Sequence, residues 1–134
     1  DHQFRILIAE DVCLYLMLIS AMLKKLLPGV RLLEAENGRE AVKKAAESQI
    51  DLILMDIQMP ELDGLDATGY IRAEDERRQR YTPIVALTAG VVKEERERCM
   101  QRGMDDYLSK PIEDKQLKRV LHEQLLNNEN SSKT

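Results

Sequence analysis

Short, unbroken apolar runs alternating with helix-length segments constrain this chain more than any other feature. Phe4-Arg5-Ile6-Leu7-Ile8-Ala9, Leu52-Ile53-Leu54-Met55 and Ile84-Val85-Ala86-Leu87-Thr88 are strand-length and too continuously apolar to leave one face wet. Val30 to Ala35 alternates weakly and Tyr107-Leu108-Ser109 is brief; both read as strands. Between and after them lie five helical stretches. Val12 to Leu27 is stopped by Pro28-Gly29, and Asn37-Gly38 opens a helix to about Ser48. Leu65 to about Arg78 is broken by Tyr81-Thr82-Pro83, and Lys93 to Arg102 is ended by Gly103. Glu113 to about Asn127 carries Leu117, Val120, Leu121 and Leu125 on one stripe. Strands that are apolar on both faces need helices on both faces. The expectation is an α/β, doubly wound (βα)5 domain over residues 1–127, followed by a polar tail at 128–134.

Composition narrows the functional classes. The 134 residues suffice for one domain with its own core. The longest apolar run, Val12 to Leu23, is interrupted by Ser20 and falls short of the ~18 residues of a membrane span, so no direct membrane contact is expected. A net charge of −4 argues against a nucleic-acid binder, and four Tyr, one Phe and no Trp are too few for a base-stacking platform. Cys13 and Cys99, with no CxxC, read as ordinary buried or half-buried residues in a reducing, cytoplasmic setting. The chain opens Asp1-His2-Gln3 without Met, which reads as a piece of something longer.

In open parallel sheets the ligand site lies beyond the strand C-termini, so the residues there decide the chemistry. They are Glu10-Asp11, Asp56, Thr88 and Lys110-Pro111, with Glu36-Asn37-Gly38 a turn after the second strand. Taken singly, Asp11 reads as a helix cap, Thr88 as a turn residue and Lys110 as a solvated side chain. Taken together they are three carboxylates, a hydroxyl and an ammonium at four strand ends. Clustered carboxylates repel unless a cation joins them, and such an oxygen-rich set suits Mg2+. A carboxylate is also a nucleophile toward phosphorus, and phosphoryl transfer needs positive charge and hydrogen-bond donors around the moving oxygens. The set is complete for phosphorylation of an aspartate.

These residues resemble the receiver domain of two-component response regulators. The likeness rests on Ile6-Leu7-Ile8-Ala9-Glu10-Asp11, on Leu52 through Asp56 with Ile57-Gln58-Met59-Pro60 and Asp63-Gly64, on Ile84 through Ala89, and on Asp106-Tyr107-Leu108-Ser109-Lys110-Pro111. It covers about residues 4 to 126. The resemblance implies a flavodoxin-like five-stranded parallel sheet of order 2-1-3-4-5. It implies that Asp56 accepts a phosphoryl group from phosphohistidine. Mg2+ would be held by Asp11 directly, by Glu10 directly or through water, by Asp56 and by the backbone carbonyl of Gln58. Lys110 would bind a phosphoryl oxygen, Thr88 would hydrogen-bond the phosphoryl group, and Tyr107 would turn inward when Thr88 moves. The domain would be a phosphoacceptor signalling module in a His-Asp phosphorelay, limited as a catalyst to its own phosphorylation and dephosphorylation. Pro111 follows a bond that is often cis in this family; the sequence leaves the isomer open.

The Glu-Asp pair, the Met59-Pro60-Glu61-Leu62-Asp63-Gly64 loop and the missing Met resemble receivers fused to sensor histidine kinases. A stand-alone single-domain response regulator is the alternative. In receivers the first helix docks on the four-helix bundle that carries the phosphohistidine, in a kinase or a histidine phosphotransfer protein. Phasing that helix on Tyr15, Leu18, Ile19, Met22, Leu23 and Leu26 leaves Leu14, Met17 and Ala21 as the expected partner contacts, or as residues packed at the helix edge. Polar residues, commonly Asn, usually follow the acidic pair in hybrid receivers; here Val12 to Tyr15 follow, and Tyr15 is either core or a cover over the site. The charged stretch Lys93 to Arg98 reads as a solvated helix face, with a partner surface as the alternative, and Arg72 to Arg80 reads as solvated rather than nucleic-acid binding. His2 and His122 do not form a metal pair. An aspartyl-phosphate phosphatase of the haloacid-dehalogenase type would want a second Asp two residues after Asp56, where Gln58 stands. A pseudo-receiver that only binds partners would lack Asp56, Lys110 or an acidic residue.

Overall fold

The computed structural model describes residues 3–90 and 92–127, so the expected tail at 128–134 and His2 lie outside the described residues. The elements alternate as β1 (Arg5–Ala9), α1 (Cys13–Leu26), β2 (Arg31–Ala35), α2 (Gly38–Glu47), β3 (Leu52–Asp56), α3 (Gly64–Arg77), β4 (Ile84–Thr88), α4 (Lys93–Gln101), β5 (Asp106–Ser109) and α5 (Asp114–Leu121). All five strands are parallel, in the order β2-β1-β3-β4-β5.

Strand side chains alternate between two cores, as the two-residue period demands. Ile6, Ile8, Leu52, Leu54, Val85, Leu87 and Leu108 pack against Leu16, Ile19 and Leu23 of α1 and Leu117, Val120 and Leu121 of α5. Leu7, Ala9, Ile53, Met55, Ile84 and Ala86 pack against Ala41 and Ala45 of α2, Ala67 and Ile71 of α3 and Cys99 of α4. Asn37 caps α2 by accepting from the Glu40 N–H at 2.8 Å, and Asp63 caps α3 from the Asp66 N–H at 2.8 Å.

Four local expectations need correction. In α1 the core phase runs through Leu16, Ile19, Met22 and Leu23, while Leu18 is 43% exposed and Tyr15 only half-buried. The segment is apolar almost all round, so hydrophobicity does not fix its rotation; packing on β1 and α5 does. Cys13, first residue of that helix, is exposed. The last helix changes at His122 to a π-helical stretch through Asn127, whose wider turns still deliver Leu125 to the core.

The charge run at the end of α3 is not simply solvated. Asp75 is buried and accepts from the Thr82 N–H at 2.8 Å, the Thr82 hydroxyl at 3.0 Å and the guanidinium groups of Arg72 and Arg80, each at 3.1 Å. Arg72 also donates to Asp105 at 3.0 Å and to the Thr82 carbonyl at 2.6 Å, and Asp105 takes the Ile84 N–H at 2.8 Å. These carboxylates satisfy backbone donors just before and at the start of β4. Burial and the hydrogen bond to Asp105 push the Tyr81 hydroxyl up to about 12.

Candidate functional site

The ladder runs one residue past two strands. The Glu10 N–H donates to the Ala35 carbonyl at 2.9 Å, and the Lys110 N–H to the Thr88 carbonyl at 2.8 Å. Counting by twos, Ile6-Ile8-Glu10, Leu52-Leu54-Asp56 and Leu108-Lys110 occupy one face, the α1/α5 face. Because β1 and β3 are neighbours, the carboxylates of Glu10 and Asp56 meet.

Glu10 and Asp56 are buried and Asp11 is exposed; one oxygen from each lies within 4.8 Å of the others. The Lys110 Nζ sits 2.6 Å from Glu10 Oε1 and 3.2 Å from Asp56 Oδ2. Glu10 Oε2 accepts the Val12 N–H at 3.1 Å, and Asp56 Oδ1 accepts the Gln58 N–H at 3.0 Å, which brings the Gln58 peptide against the carboxylate. Burial, reinforced by the adjacent Asp56, raises the Glu10 carboxyl above its ordinary value despite the Lys110 ammonium. Burial alone would lower Lys110, but its contacts with Glu10 and Asp56 outweigh that and raise it.

Three carboxylates against one ammonium leave a surplus of negative charge in a pocket made of hard oxygen donors. That donor chemistry fits a divalent cation such as Mg2+. Asp11 is not consumed as a cap: Val12 holds the N-cap position of α1, with no side-chain cap bond. The turn after β3 is held closely by Gly64, where a Cβ would lie 2.2 Å from the Asp56 carbonyl oxygen. The Lys110–Pro111 peptide is cis.

Thr88 is buried at the end of β4, and its hydroxyl donates to the Gly90 carbonyl at 3.0 Å. Tyr107 pairs with Ala86 in register, which puts it on the same face as Thr88 and one pleat back. Its hydroxyl accepts from Arg96 of α4 at 2.7 Å, so the phenol is directed away from the carboxylate cluster. Leu14 (74% exposed) and Met17 (64%) form an apolar outer patch on α1 with the exposed Ala21 and Leu18.

One contact escapes sequence reading, and another falls on a residue whose place the sequence left open. The Arg96–Tyr107 bond joins residues on different elements and has no local signature. Tyr15 places its ring 4.5 Å from the Lys110 Nζ, so the option of a cover over the site describes its position. The signal was available: a large aromatic four residues after Asp11, on the helix that starts beside the strand ends.

The model of the response regulator receiver domain matches residues 6–122. The sensor protein GacS of Pseudomonas syringae pv. syringae is 43% identical over 118 residues, 87% of this chain and 13% of GacS; the chain thus spans about an eighth of that relative. The receiver domain of sensor histidine kinase PA1611 from Pseudomonas aeruginosa PAO1, solved with a magnesium ion coordinated in its active site cleft, is 40% identical with a TM-score of 0.81. That match covers 92% of this chain and 98% of the other. A chain in the co-crystal structure of the Saccharomyces cerevisiae phosphotransfer protein Ypd1 with the receiver domain of Ssk1 is 30% identical, with a TM-score of 0.85 over 92% of this chain and 90% of that one. The fold order, the strand-end residues and the match across most of the sequence agree: this chain belongs to the response regulator receiver domain family.

Proposed function

We propose that Asp56 is the phosphoacceptor of this receiver and takes its phosphoryl group from a phosphohistidine. The observation that carries the reading is the Lys110 ammonium shared between Asp56 and Glu10, with Asp11 beside them, at the C-terminal ends of β1, β3 and β5. Glu10, Asp11, Asp56 and the Gln58 carbonyl would hold Mg2+; a bound Mg2+ supplies charge neutralisation for the phosphoryl oxygens. Lys110 binds one of those oxygens. Thr88 exchanges its bond to Gly90 for one to the phosphoryl group, and Tyr107 leaves Arg96 to fill the space vacated. The domain acts on itself only: it acquires the phosphoryl group and loses it to water. Gln58 stands where the haloacid-dehalogenase phosphatases need a second aspartate, which leaves that reading without its general acid.

The domain spans 1–127 and is one part of a hybrid sensor histidine kinase. Supporting this are the Glu-Asp pair and the sensor kinases among its relatives. No helix among the described residues is long and apolar enough to cross a membrane, and the domain works on the cytoplasmic side. Its partner is a phosphohistidine-bearing helical bundle docked on Leu14, Met17 and Ala21, as their exposure favours.

Incubation with acetyl phosphate and Mg2+, read by intact mass, tests the assignment. A single adduct of ~80 Da, absent in Asp56→Ala and without Mg2+, is expected. An adduct that persists in Asp56→Ala refutes it, as does its absence from wild-type protein with either acetyl phosphate or a phosphorylated bundle.

A further inference from the structure

The Lys110 ammonium has three N–H groups and three neighbours. Glu10 Oε1 stands at 2.6 Å, Asp56 Oδ2 at 3.2 Å, and the Tyr15 ring centroid at 4.5 Å. The two carboxylates hold the ammonium by charge, and it also lies over the face of the Tyr15 ring. Its side chain is 13% exposed, so solvation is largely replaced by these partners. Tyr15 lies in the first turn of α1, the helix that leaves β1 directly after Glu10 and Asp11, and it is only half-buried. A half-buried tyrosine whose ring rests on a largely covered cation, rather than in either core, calls for an explanation other than packing.

From this geometry we infer that Tyr15 is a positioning residue for phosphoryl transfer, acting through Lys110. The inference rests on Asp56 being the phosphoacceptor. In the transfer, an Asp56 carboxylate oxygen forms the new bond to phosphorus. With acetyl phosphate as donor, the bond from phosphorus to the acetyl oxygen breaks and acetate leaves with that electron pair; no proton is required. During this step Lys110 must turn from Asp56 toward a phosphoryl oxygen. The ring face attracts the ammonium through its quadrupole and keeps competing water off it. Nζ thus pivots between two oxygens instead of swinging into solvent. A fixed donor in a dry site stabilises the charge moving onto the phosphoryl oxygens better than a hydrated one.

Three proteins separate this role from simple packing: wild type, Tyr15→Phe, which keeps the ring, and Tyr15→Leu, which keeps apolar bulk without it. With saturating Mg2+ and acetyl phosphate, the maximal phosphorylation rate of Tyr15→Leu should fall about three- to tenfold. Tyr15→Phe should restore it, and the half-saturating Mg2+ concentration should be unchanged across the set. A second readout needs neither metal nor phosphodonor. The Lys110 Hε and ammonium protons should be shifted upfield by the ring current in wild type and Tyr15→Phe, and not in Tyr15→Leu. Absence of that shift in wild type overturns the contact itself. Equal maximal rates in all three proteins, or a loss in Tyr15→Phe as large as in Tyr15→Leu, overturn the positioning role. A wild-type protein that gains no Asp56-dependent adduct at all refutes instead the phosphoacceptor reading beneath it.

Discussion

Replacing Asp56 by Asn should stabilise the metal-free domain while abolishing its response to Mg2+. Asp56 is 5% exposed and lies within 4.8 Å of oxygens of Glu10 and Asp11. At an effective dielectric near 20, such a separation gives a repulsion of roughly 3 kcal/mol with buried Glu10, and less with Asp11, which faces water. Against this, Lys110 at 3.2 Å attracts Asp56 by about 5 kcal/mol on the same scale. The pair energies nearly cancel, so the dehydration of the buried carboxylate decides the sign, and it opposes the charge. Asn keeps an oxygen for the Gln58 N–H, and Lys110 keeps Glu10 at 2.6 Å, so neither partner is stranded. The net gain should be about 1–2 kcal/mol, or about 5 °C in Tm for a domain of this size. Thermal melts in EDTA and in Mg2+ measure both halves. Wild type should gain about 1.4 kcal/mol at ten times the dissociation constant, and Asp56→Asn little. An Asp56→Asn protein that melts below wild type in EDTA, or that gains equally from Mg2+, refutes this account of the pocket.

The raised Glu10 carboxyl makes stability depend on pH. A carboxyl with a folded value above its unfolded one contributes stability below the unfolded value, and that contribution is lost as pH rises through the folded value. In EDTA, wild type should therefore lose stability relative to Glu10→Gln as pH rises above about 4.5; urea midpoints that differ by a constant amount would contradict this. Asp75→Ala strands the buried Thr82 N–H and hydroxyl, takes a carboxylate from Arg72 and Arg80, and should cost about 3–5 kcal/mol, read by urea denaturation; a loss below about 1 kcal/mol means that the network is not a structural clamp. Met17→Glu should slow transfer from a phosphorylated helical bundle at least several-fold without lowering Tm or the acetyl phosphate rate, because the side chain is 64% exposed; unchanged transfer removes Met17 from the docking surface.

What was legible in the sequence follows from where apolar runs meet charge. An apolar strand that stops at Glu10 or Asp56 marks its own C-terminus, and a parallel sheet brings those ends together whatever the loops do. The same logic fails on α1. From Val12 to Leu23 only Ser20 is polar by type, and Ser20 is itself buried. A helix apolar on nearly every side carries no phase, so Leu16 took the core place expected of Leu18. It fails again at Arg72 to Arg80, where charge by itself predicts water. The partners that bury Asp75 and Arg72 are Thr82 and Asp105, the latter more than thirty positions from Arg72 and brought near only by the sheet.

Under the proposed roles, the energy of switching is set by bonds already visible. Thr88 gives up a neutral bond to the Gly90 carbonyl, worth about 0.5–1.5 kcal/mol. Tyr107 gives up one to a guanidinium, worth about 1.5–3 kcal/mol, along with the weaker attraction of the Arg96 cation 5.4 Å from its ring centroid. The phosphoryl group returns a charge-assisted bond to Thr88 of about 1.5–3 kcal/mol, while Lys110 exchanges its contact with Asp56 for one of the same kind with a phosphoryl oxygen. Losses and gains are of similar size, so neither arrangement is overwhelmingly favoured and one added group can reverse the balance. Arg96 is then the counterweight. It stands on α4, outside the phosphoryl site, and its hold on Tyr107 determines how much of the switched form exists before any phosphoryl group arrives.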